Sequence, residues 1–525
     1  MKHLLYELTK NIYFGGNKMR ENWQSRKGFI FAAAGAAIGL GNLWRFPFQA
    51  YKNGGGAFLL PYLVALVTCA IPLMIMEYAY GRKIRGGSVK AFSELGKKFE
   101  VVGWVQVMVP IVVMMYYCAI IAVSLIFMVF SLGHAFGMMN WLQDPGPIMG
   151  MVVGSAENAL DLGAGMSLYI LVAIVFVWLT NWLIVKKGIS GGIEKMSMIF
   201  TPMLLVMMII FMINAVRLNG ASIGLEALFK PDFSKIMDPT IWVSAYAQVF
   251  FSTTLAVGVM IAYGSYLHDK ADVVNSAFIT VLANSSFDII AGILVFSTLG
   301  YLVQNMGVEF TSFGTGAGVA FIAFPIAIST MSSNVVIQGL LGFVFFFCLF
   351  IAGISSSISM LESFATAALD KFKITREKLI TIISLVGFAG SACFASYAGF
   401  NYILDIVDSY VGNIVIAGLG LVEVVLISYL YGTEKLREEA NMYSDFKVGI
   451  WWDYLLKYFT PLLLGAVVIT NIFNIVTGLF EADKIGLMSS IIFGWGTVVI
   501  MIGVSMIFNK KKWAEHHQLS NQEGN

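Results

Sequence analysis

The chain has 525 residues, of which 58% are hydrophobic and only 12% are charged, and its mean hydropathy of +0.79 is far above that of a water-soluble domain. This composition excludes a soluble globular protein and predicts an all-α protein that crosses the membrane many times. The net charge of +2 is close to neutral, so it gives no reason to expect a nucleic-acid partner.

Apolar runs long enough to cross a bilayer, about 20 residues each, alternate with polar or Gly/Pro-rich clusters along the chain. No short apolar run with a small-residue cleavage site precedes them, so we expect no signal peptide. Twelve runs predict twelve transmembrane helices, at approximately 29–51, 57–80, 101–130, 167–185, 193–216, 241–266, 276–304, 336–369, 379–397, 400–430, 457–478 and 488–508.

Lys and Arg are unevenly distributed over the predicted loops. If the N-terminus is cytoplasmic, all but six of the 33 basic residues fall on the cytoplasmic side. Since positively charged loops remain in the cytoplasm, we expect both termini inside. The six exceptions are Lys52, Arg217, Lys230, Lys235 and Lys484 in outer loops and Arg45 within the first span.

The first and sixth predicted spans contain residues that interrupt helices. The first has the sequence GAAIGLGN from Gly35 to Asn42, and the sixth has a Ser-Thr-Thr run and a glycine within 252–258. Non-helical backbone at membrane depth survives only where protein or a water-filled cavity covers it. The features could be a GxxxG packing face and hydroxyls bonded to their own helix, or two discontinuous helices around a solute.

Spans one and six are equivalent members of two five-helix halves, which is the pattern of inverted-repeat transporters with discontinuous helices. Free N–H groups at such a break suit a carboxylate, and unwound carbonyls suit a small hard cation. The predicted organisation is a cytoplasmic segment (1–28), a first repeat (29–216), a second repeat (241–430), helices eleven and twelve (457–508) and a cytoplasmic tail (509–525).

Two other classes of membrane protein fit less well. An ion channel would also place polar residues at membrane depth, but along the whole length of a pore. An enzyme would need catalytic side chains, and no nucleophile with a base and no metal set is evident. The four cysteines lie in apolar spans without metal-type spacing and predict no disulfide. The five histidines lie outside the spans, at His3, His134, His268, His516 and His517.

Residues 23–62, WQSRKGFIFAAAGAAIGLGNLWRFPFQAYKNGGGAFLLPY, strongly resemble the first helix and following turn of the neurotransmitter:sodium symporter family, especially its bacterial amino-acid members. The likeness continues through YAQVFFSTTLAVGVMIAYGSY, ANSSFDIIAG, FIAGISSSISMLESF and LDIVDSYVGN, and covers most of residues 20–430. The resemblance implies the LeuT-like fold: twelve transmembrane helices, a 5+5 inverted repeat, and discontinuous helices 1 and 6. It also implies sodium-coupled symport by alternating access rather than enzyme activity.

The resemblance further implies two sodium sites and no organic cofactor. Read alone, the Ser-Ser-Ser run at 355–357 is typical of helix packing or bonding to its own helix, and the ligand interpretation depends on the broken first helix beside it. The first site would use Ala37, Asn42, Ser252, Asn284 and the substrate carboxylate. The second would use the carbonyls of Gly35, Ile38 and Ala352 and the hydroxyls of Ser355 and Ser356.

The family pattern places an amino-acid substrate at the same break. Its carboxylate would contact the N–H groups near Leu40 and Gly41 and the Tyr117 hydroxyl. Its ammonium would face carbonyls near Ala37 and Phe251 and the hydroxyl of Thr254. The residues implied for the side-chain pocket are all apolar and predict a hydrophobic or aromatic side chain; they are Val113, Phe251, Ala256, Val257 and Met360.

Gly39 is informative because it lacks a side chain. Monoamine transporters of the family carry an aspartate at the matching position, which supplies the charge that their substrates lack. A glycine here favours a substrate that brings its own carboxylate. Another small amino acid or an amine-type solute is the alternative substrate. The implied partners are the substrate, sodium and the lipid bilayer, and the chain would be a monomer or a homodimer.

Asp288 is a carboxylate at membrane depth, where it costs at least about 2.5–3.5 kcal/mol on insertion scales. In chloride-dependent relatives the matching residue resembles a serine beside bound chloride, and Asp288 would replace that charge and remove the need for chloride. An acid satisfied by hydroxyls alone, or one that carries a proton in counter-transport, is the alternative. The implied neighbours are Tyr62, Gln248, Ser252 and Asn284.

Glu77, Glu362 and Glu423 are expected to be structural acids bonded to nearby backbone or hydroxyls. The segment from Gly192 to Pro202 resembles a helix that unwinds at its cytoplasmic end, and an ordinary proline kink is the alternative.

The resemblance also implies two gates. The outer gate would be Arg45, Asp408 and Phe251, and the inner gate Arg20, Trp23, Ser265, Tyr266 and Asp370.

Overall fold

The computed structural model describes residues 20–232, 234–307 and 319–514, so His3, His516 and His517 lie outside the described residues. Within these ranges the chain is helical, and its β contacts are two isolated bridges, Gly55–Pro231 and Met166–Ser396. The helices are α1 (Arg26–Ala37), α2 (Leu40–Lys52), α3 (Gly56–Ile84), α4 (Ser88–Leu95), α5 (Lys97–Ala135), α6 (Gly146–Val153), α7 (Leu168–Val185), α8 (Ile189–Val216), α9 (Ala221–Phe229), α10 (Pro239–Ser252), α11 (Val259–Gly264), α12 (Val273–Met306), α13 (Ala320–Thr330), α14 (Val335–Lys371), α15 (Arg376–Cys393), α16 (Gly399–Asn441), α17 (Ile450–Glu481) and α18 (Lys484–Lys510).

Nine of the described helices are long and apolar enough to cross a membrane, namely α3, α5, α7, α8, α12, α14, α16, α17 and α18. The pair α1 and α2, which meet at 61°, makes a tenth span. The two remaining predicted spans coincide with the pair α10 and α11 and with α15, whose 18 residues begin with three charged ones. The polytopic all-α fold is confirmed, and the count of twelve stays a prediction.

The first interruption separates α1 from α2. Ile38 leaves the helical conformation with a ψ of 95°, and Gly39 enters α2 with an extended backbone, φ −120° and ψ −170°. The side-chain oxygen of Asn42 accepts the Gly39 N–H at 2.8 Å and so satisfies a donor at the start of α2. Glycine and asparagine therefore produce a defined break.

The second interruption separates α10 from α11. Thr254, Ala256 and Gly258 have positive φ values of 56°, 58° and 72°, a conformation that is strained for the two residues with side chains. Neighbouring elements hold this unwound segment. The Thr254 hydroxyl donates to the Ala36 carbonyl at 3.1 Å, and a serine hydroxyl of α14 donates to the carbonyl of residue 257 at 3.0 Å. The prediction of two discontinuous helices is confirmed.

The start of α8 does not unwind in this conformation. A π-helical turn at Ile189–Glu194 leads directly into helix that continues through Pro202. The Glu194 carboxylate accepts the backbone N–H groups of Gln24 and Ser25 at 2.8 and 3.0 Å. These bonds tie the start of α8 to the segment before α1.

Candidate functional site

A cavity of about 470 Å³ lies where the two helix breaks meet. Most residues predicted to bind the substrate line it, together with Gly39, Asn42, Ser252 and Ser356. At its far end it is lined by charged residues, Arg45, Asp405 and Asp408. The predicted substrate residues at its surface are Ala37, Gly41, Val113, Tyr117, Phe251, Thr254, Val257 and Met360.

Two predicted substrate residues do not line the cavity. Leu40 is fully buried, and its contribution is its backbone N–H. Ala256 is 2% exposed, and its N–H donates to Glu77 Oε1 at 2.8 Å. The Ala256 side chain therefore does not form part of the pocket wall as expected, because Glu77 fixes its left-handed backbone within the protein.

Backbone and hydroxyl donors collect at the first turn of α2. The Leu40 N–H donates to the Tyr117 hydroxyl at 3.1 Å, which leaves the hydroxyl hydrogen of Tyr117 for another acceptor. A Cβ placed on Gly41 would meet no atom within 4 Å, so this residue faces open space. First-turn N–H groups have no intrahelical partner and carry the positive end of the helix dipole. The arrangement suits an anionic group.

Gly39 has no room for a side chain. A Cβ built on it would lie 2.9 Å from Ser356 Oγ and 3.0 Å from the Tyr117 hydroxyl oxygen. Any substituent would therefore displace the Tyr117 hydroxyl or the Ser356 side chain. The glycine keeps open the space in front of the α2 N-terminus.

The Asn284 side chain lies between the two breaks. One end of its amide is 2.8 Å from the Asn42 amide nitrogen, 3.2 Å from the Ala37 carbonyl oxygen and 3.3 Å from the Ser252 carbonyl oxygen. The other end is 2.7 Å from the Ser252 hydroxyl. An amide nitrogen at the first position would donate to both carbonyls, whereas an amide oxygen there accepts the Asn42 amide N–H at 2.8 Å. The four protein residues predicted for the first sodium site therefore meet at one point.

The residues predicted for the second sodium site also approach one another. The Ser355 hydroxyl is buried and has no hydrogen-bond partner among the described residues. It would be 3.8 Å from a Cβ on Gly35, and the Ser356 hydroxyl is 3.5 Å from the Ile38 carbonyl. Ala352 lies about one turn earlier on α14 and is buried. An unpartnered buried hydroxyl needs a ligand or a water.

Asp288 is completely buried on α12. Its Oδ2 accepts the Tyr62 hydroxyl at 2.6 Å and the Ser252 hydroxyl at 3.3 Å, while its Oδ1 has no hydrogen-bond partner within the described ranges. Two of the four predicted neighbours therefore contact it directly, and Asn284 reaches it through Ser252. Gln248 lines the cavity and is not among the hydrogen-bond partners of Asp288 in the described part of the chain.

The predicted outer gate is not closed. The Arg45 guanidinium lies 4.2 Å from the Phe251 ring centroid, and Asp408 accepts the Tyr116 hydroxyl at 2.6 Å. Arg45 and Asp408 line the same cavity, but they are not among the ion pairs within 4.0 Å in the described part of the chain. Tyr116 and the nearby Asp405 were not predicted.

The predicted inner gate is assembled. Arg20 forms an ion pair with Asp370 at 2.7 Å and donates to the Ser265 hydroxyl at 2.7 Å. Its guanidinium lies 4.6 Å from the Tyr266 ring centroid. The Trp23 backbone N–H donates to the Tyr266 carbonyl at 3.1 Å. All five predicted residues therefore form one contact network.

The charge of Asp370 stabilises the charged form of Arg20, which precedes α1. Burial lowers the pKa of its guanidinium, but the charge and hydrogen bond of Asp370 outweigh burial, and the net pKa is raised above its ordinary value. The second oxygen of Asp370 accepts the Gly87 N–H at 2.6 Å. These contacts tie the segment before α1 to α14 and to the turn after α3.

The three acids expected to be structural do bond to nearby groups. Glu77 accepts the Ala256 N–H, and Glu423 accepts the amide of Gln106. Glu362 accepts the Tyr266 hydroxyl at 2.9 Å and also forms an ion pair with Arg376, which sequence reasoning missed. Arg376 begins the next helix, and its position in the chain gives no spacing signal for this pairing.

Comparison with known proteins agrees with this architecture. The model of the sodium:neurotransmitter symporter family matches residues 20–143 and 156–513. The chain is 37% identical over 494 residues to an uncharacterized sodium-dependent transporter of Methanocaldococcus jannaschii, covering 94% of this chain and 98% of the relative.

More distant relatives carry substrate names. The chain is 27% identical to the sodium-dependent nutrient amino acid transporter 1 of Drosophila grimshawi, covering 95% and 83% of the two chains. It is 28% identical to the sodium- and chloride-dependent GABA transporter 2 of Mus musculus, covering 85% and 79%. The chain therefore belongs to the sodium:neurotransmitter symporter family, and it is a multi-pass sodium-dependent transporter rather than an enzyme.

Proposed function

We propose that this transporter imports a hydrophobic or aromatic amino acid together with two sodium ions, without chloride, by alternating access. The observation that carries the proposal is the cavity at the two helix breaks, where donors for a carboxylate, oxygens for cations and an apolar wall converge. The roles of the lining residues toward a bound solute are part of this proposal.

The substrate carboxylate would bind at the start of α2. The Gly41 N–H and the Tyr117 hydroxyl, whose oxygen accepts the Leu40 N–H, provide donors there, and Gly39 leaves the space open. No acidic side chain occupies this position to bind an amine that lacks a carboxylate. The substrate's own carboxylate would therefore complete the charge.

The substrate ammonium would bind on the opposite side of the break. Ala37 and Thr254 line the cavity there, at the ends of α1 and α10, where helix carbonyls lose their intrahelical partners. Helix C-termini are negative and favour a cation. The two breaks thus offer opposite partial charges to the two ends of a zwitterion.

The substrate side chain would extend along an apolar wall. Val113, Phe251, Val257 and Met360 line this part of the cavity. Among the residues that line the cavity the charged ones are Arg45, Asp405 and Asp408, and none of them belongs to the interrupted segments 37–41 and 252–258. This distribution favours a hydrophobic or aromatic side chain.

Two sodium ions would bind beside the substrate. The Ala37 and Ser252 carbonyl oxygens and the Asn284 amide meet at one point beside Asn42, whose amide would have to turn its oxygen from the Gly39 N–H toward the ion, and oxygen ligands suit hard cations. The unpartnered Ser355 hydroxyl supports the second site, with Ser356 and the carbonyls of Gly35, Ile38 and Ala352. At roughly 100 mV and a tenfold sodium gradient, two ions would release about 7 kcal/mol for uphill transport.

The fixed charge of Asp288 would make chloride unnecessary. Asp288 touches Ser252, which also contacts Asn284 of the first sodium site. A carboxylate at Asp288 would place a negative charge next to Ser252, a proposed ligand of the first sodium ion. The chloride-dependent GABA transporter 2 of the mouse is a relative against which this difference can be tested.

The conformation supports alternating access from the outer side. The inner gate is closed by Arg20 and Asp370, whereas Arg45 and Asp408 are apart and line the cavity. With both termini in the cytoplasm of a bacterial-type plasma membrane, this is the state that receives sodium and substrate from outside. Transport would follow when the outer gate closes and the inner ion pair separates.

Competition for uptake tests the proposal. Purified protein in proteoliposomes with an inward sodium gradient should take up labelled leucine or tryptophan, and unlabelled hydrophobic amino acids should compete. Lysine and glutamate should not compete, because the apolar wall offers their charges no partner. A preference for alanine, or competition by simple amines, would contradict the proposed substrate class.

A further inference from the structure

Two buried acids outside the substrate cavity have unsatisfied oxygens. Glu77 on α3 and Glu423 on α16 are each 1% exposed. Glu77 Oε2 and Glu423 Oε1 lack hydrogen-bond partners among the described residues, as does Oε1 of Gln106 on α5. The two carboxyls are close enough to interact electrostatically. We call Glu77 and Glu423 the acid pair, and the Gln106 amide of α5 lies against it.

The acid pair has few donors. Glu77 Oε1 accepts the Ala256 N–H at 2.8 Å, and Glu423 Oε2 accepts the Gln106 amide. Neither acid is among the ion pairs of the described chain. Two negative charges buried side by side without a cation are strongly disfavoured.

The surrounding titratable groups do not supply the missing donors. On α3, the Tyr78 hydroxyl donates to a threonine of α12, and the Tyr80 hydroxyl donates to a backbone carbonyl of α4. Tyr431 on α16 packs its ring against Tyr80. The basic residue one turn further along α3, Arg82, pairs with Glu439. A proton is therefore the simplest species that can relieve the repulsion between the two acids.

The acid pair is also bonded to the unwound segment between α10 and α11. Ala256 belongs to this segment, and its φ is 58°. If the segment rearranged during transport, Glu77 would lose the Ala256 N–H, and a proton could take the donor's place. The unpartnered Ser88 hydroxyl lies next to the same segment, 2.5 Å from a Cβ built on Gly258.

We propose that Glu77 and Glu423 form a proton-binding site whose occupancy changes with the conformation of the sixth-span break. One proton is shared by the pair while Ala256 is bonded to Glu77, and a second is taken from water when that bond is broken and returned to water when it re-forms. This site is separate from Asp288 and rests only on the proposed alternating access, not on the identity of the substrate.

The test uses Glu423→Gln in the full chain, with the exposed Glu434→Gln on the same helix as the matched control. Sodium-driven uptake in proteoliposomes is measured from acid to alkaline pH, and sodium-dependent substrate binding is measured in the same preparations. We expect the wild type and Glu434→Gln to share one pH dependence of uptake, and Glu423→Gln to lose it while still binding substrate. An unchanged pH profile in Glu423→Gln would overturn the proposal. Absence of binding in the wild type would instead refute the proposed function.

A second measurement detects the protonation directly. Infrared difference spectra of the wild type, recorded on adding sodium and substrate in a chloride medium, should show a change in the C=O stretch of protonated carboxyl groups. In the same medium Asp288→Asn should keep this band, and Glu77→Gln should remove it while still binding substrate. A band that disappears only in Asp288→Asn, or no band in any protein that binds substrate, would contradict the assignment.

Discussion

Arg45 lies over the ring of Phe251, 4.2 Å from guanidinium carbon to ring centroid, while Asp408 accepts the hydroxyl of Tyr116 at 2.6 Å. Each half of the predicted outer gate is therefore bound to an aromatic side chain instead of to the other half. Closing the gate requires Arg45 to leave Phe251 or Asp408 to turn from Tyr116. We therefore expect the two aromatic contacts to oppose closure of the proposed gate.

Removing the Tyr116 hydroxyl should favour closure. Tyr116→Phe deletes a hydrogen bond to a charged group, worth about 1.5–3 kcal/mol, so the equilibrium should shift toward the closed gate by about tenfold or more. The measurement is labelling of Asn401→Cys, at the cavity wall, by an impermeant thiol reagent in a Cys393→Ser background. Labelling should slow in Tyr116→Phe, and Tyr402→Phe is the control. Equal labelling rates in both variants would show that this bond does not control the gate.

The requirement for glycine at position 39 can be tested by adding a side chain there. A side chain there would collide with the Tyr117 and Ser356 hydroxyl oxygens, at a cost of about 1–3 kcal/mol. Gly39→Ala should weaken amino-acid binding by about tenfold or more, and Gly39→Asp should abolish it because its carboxylate takes the substrate's place. Gly418→Ala, where a Cβ meets nothing within 4 Å, is the control. Full uptake by Gly39→Asp would place the substrate carboxylate elsewhere.

Replacing Asn284 should weaken sodium binding without lowering expression. Asn284→Ala removes one oxygen from the proposed first sodium site, and the sodium concentration for half-maximal uptake should rise by about tenfold or more. Ser286→Ala, on the same helix and exposed, removes only a bond to that helix and should change nothing. Uptake curves against sodium concentration provide the comparison. Identical curves for the two variants would remove Asn284 from the site.

Asp288 should decide the need for chloride. Replacing chloride by gluconate should leave wild-type uptake unchanged, whereas Asp288→Ser should make uptake depend on chloride because the fixed negative charge is gone. Asp405→Asn, at the far end of the cavity, should remain independent of chloride. Wild-type uptake that fails in gluconate would refute the proposed role of Asp288.

The sequence predicted those features of the fold that depend on local residue types. Glycines with Asn42 predicted the first break, and the Ser-Thr-Thr run with Gly258 predicted the second, because these residues are unfavourable in an ordinary apolar helix. The long apolar runs predicted the helices for the same reason. Two predicted spans are not long uninterrupted apolar helices, since α10 and α11 are separated by a break and α15 begins with three charged residues.

Long-range pairings explain most of what the sequence did not show. Tyr116 and Asp408 are 292 residues apart, and no spacing rule joins them. Ala256 was expected at the pocket wall because of its place in a motif, but its side-chain direction depends on a left-handed φ and on Glu77. Inner-gate residues were recovered only because a family resemblance supplied the pairing in advance.

The most direct test of the central claim is equilibrium binding to purified protein. Labelled leucine or tryptophan is titrated at a series of sodium concentrations, with choline keeping the ionic strength constant. We predict saturable binding that requires sodium, tightens as sodium rises and is competed by hydrophobic amino acids. Binding that is equally tight in choline, or the absence of any sodium-dependent amino-acid binding, would contradict the account.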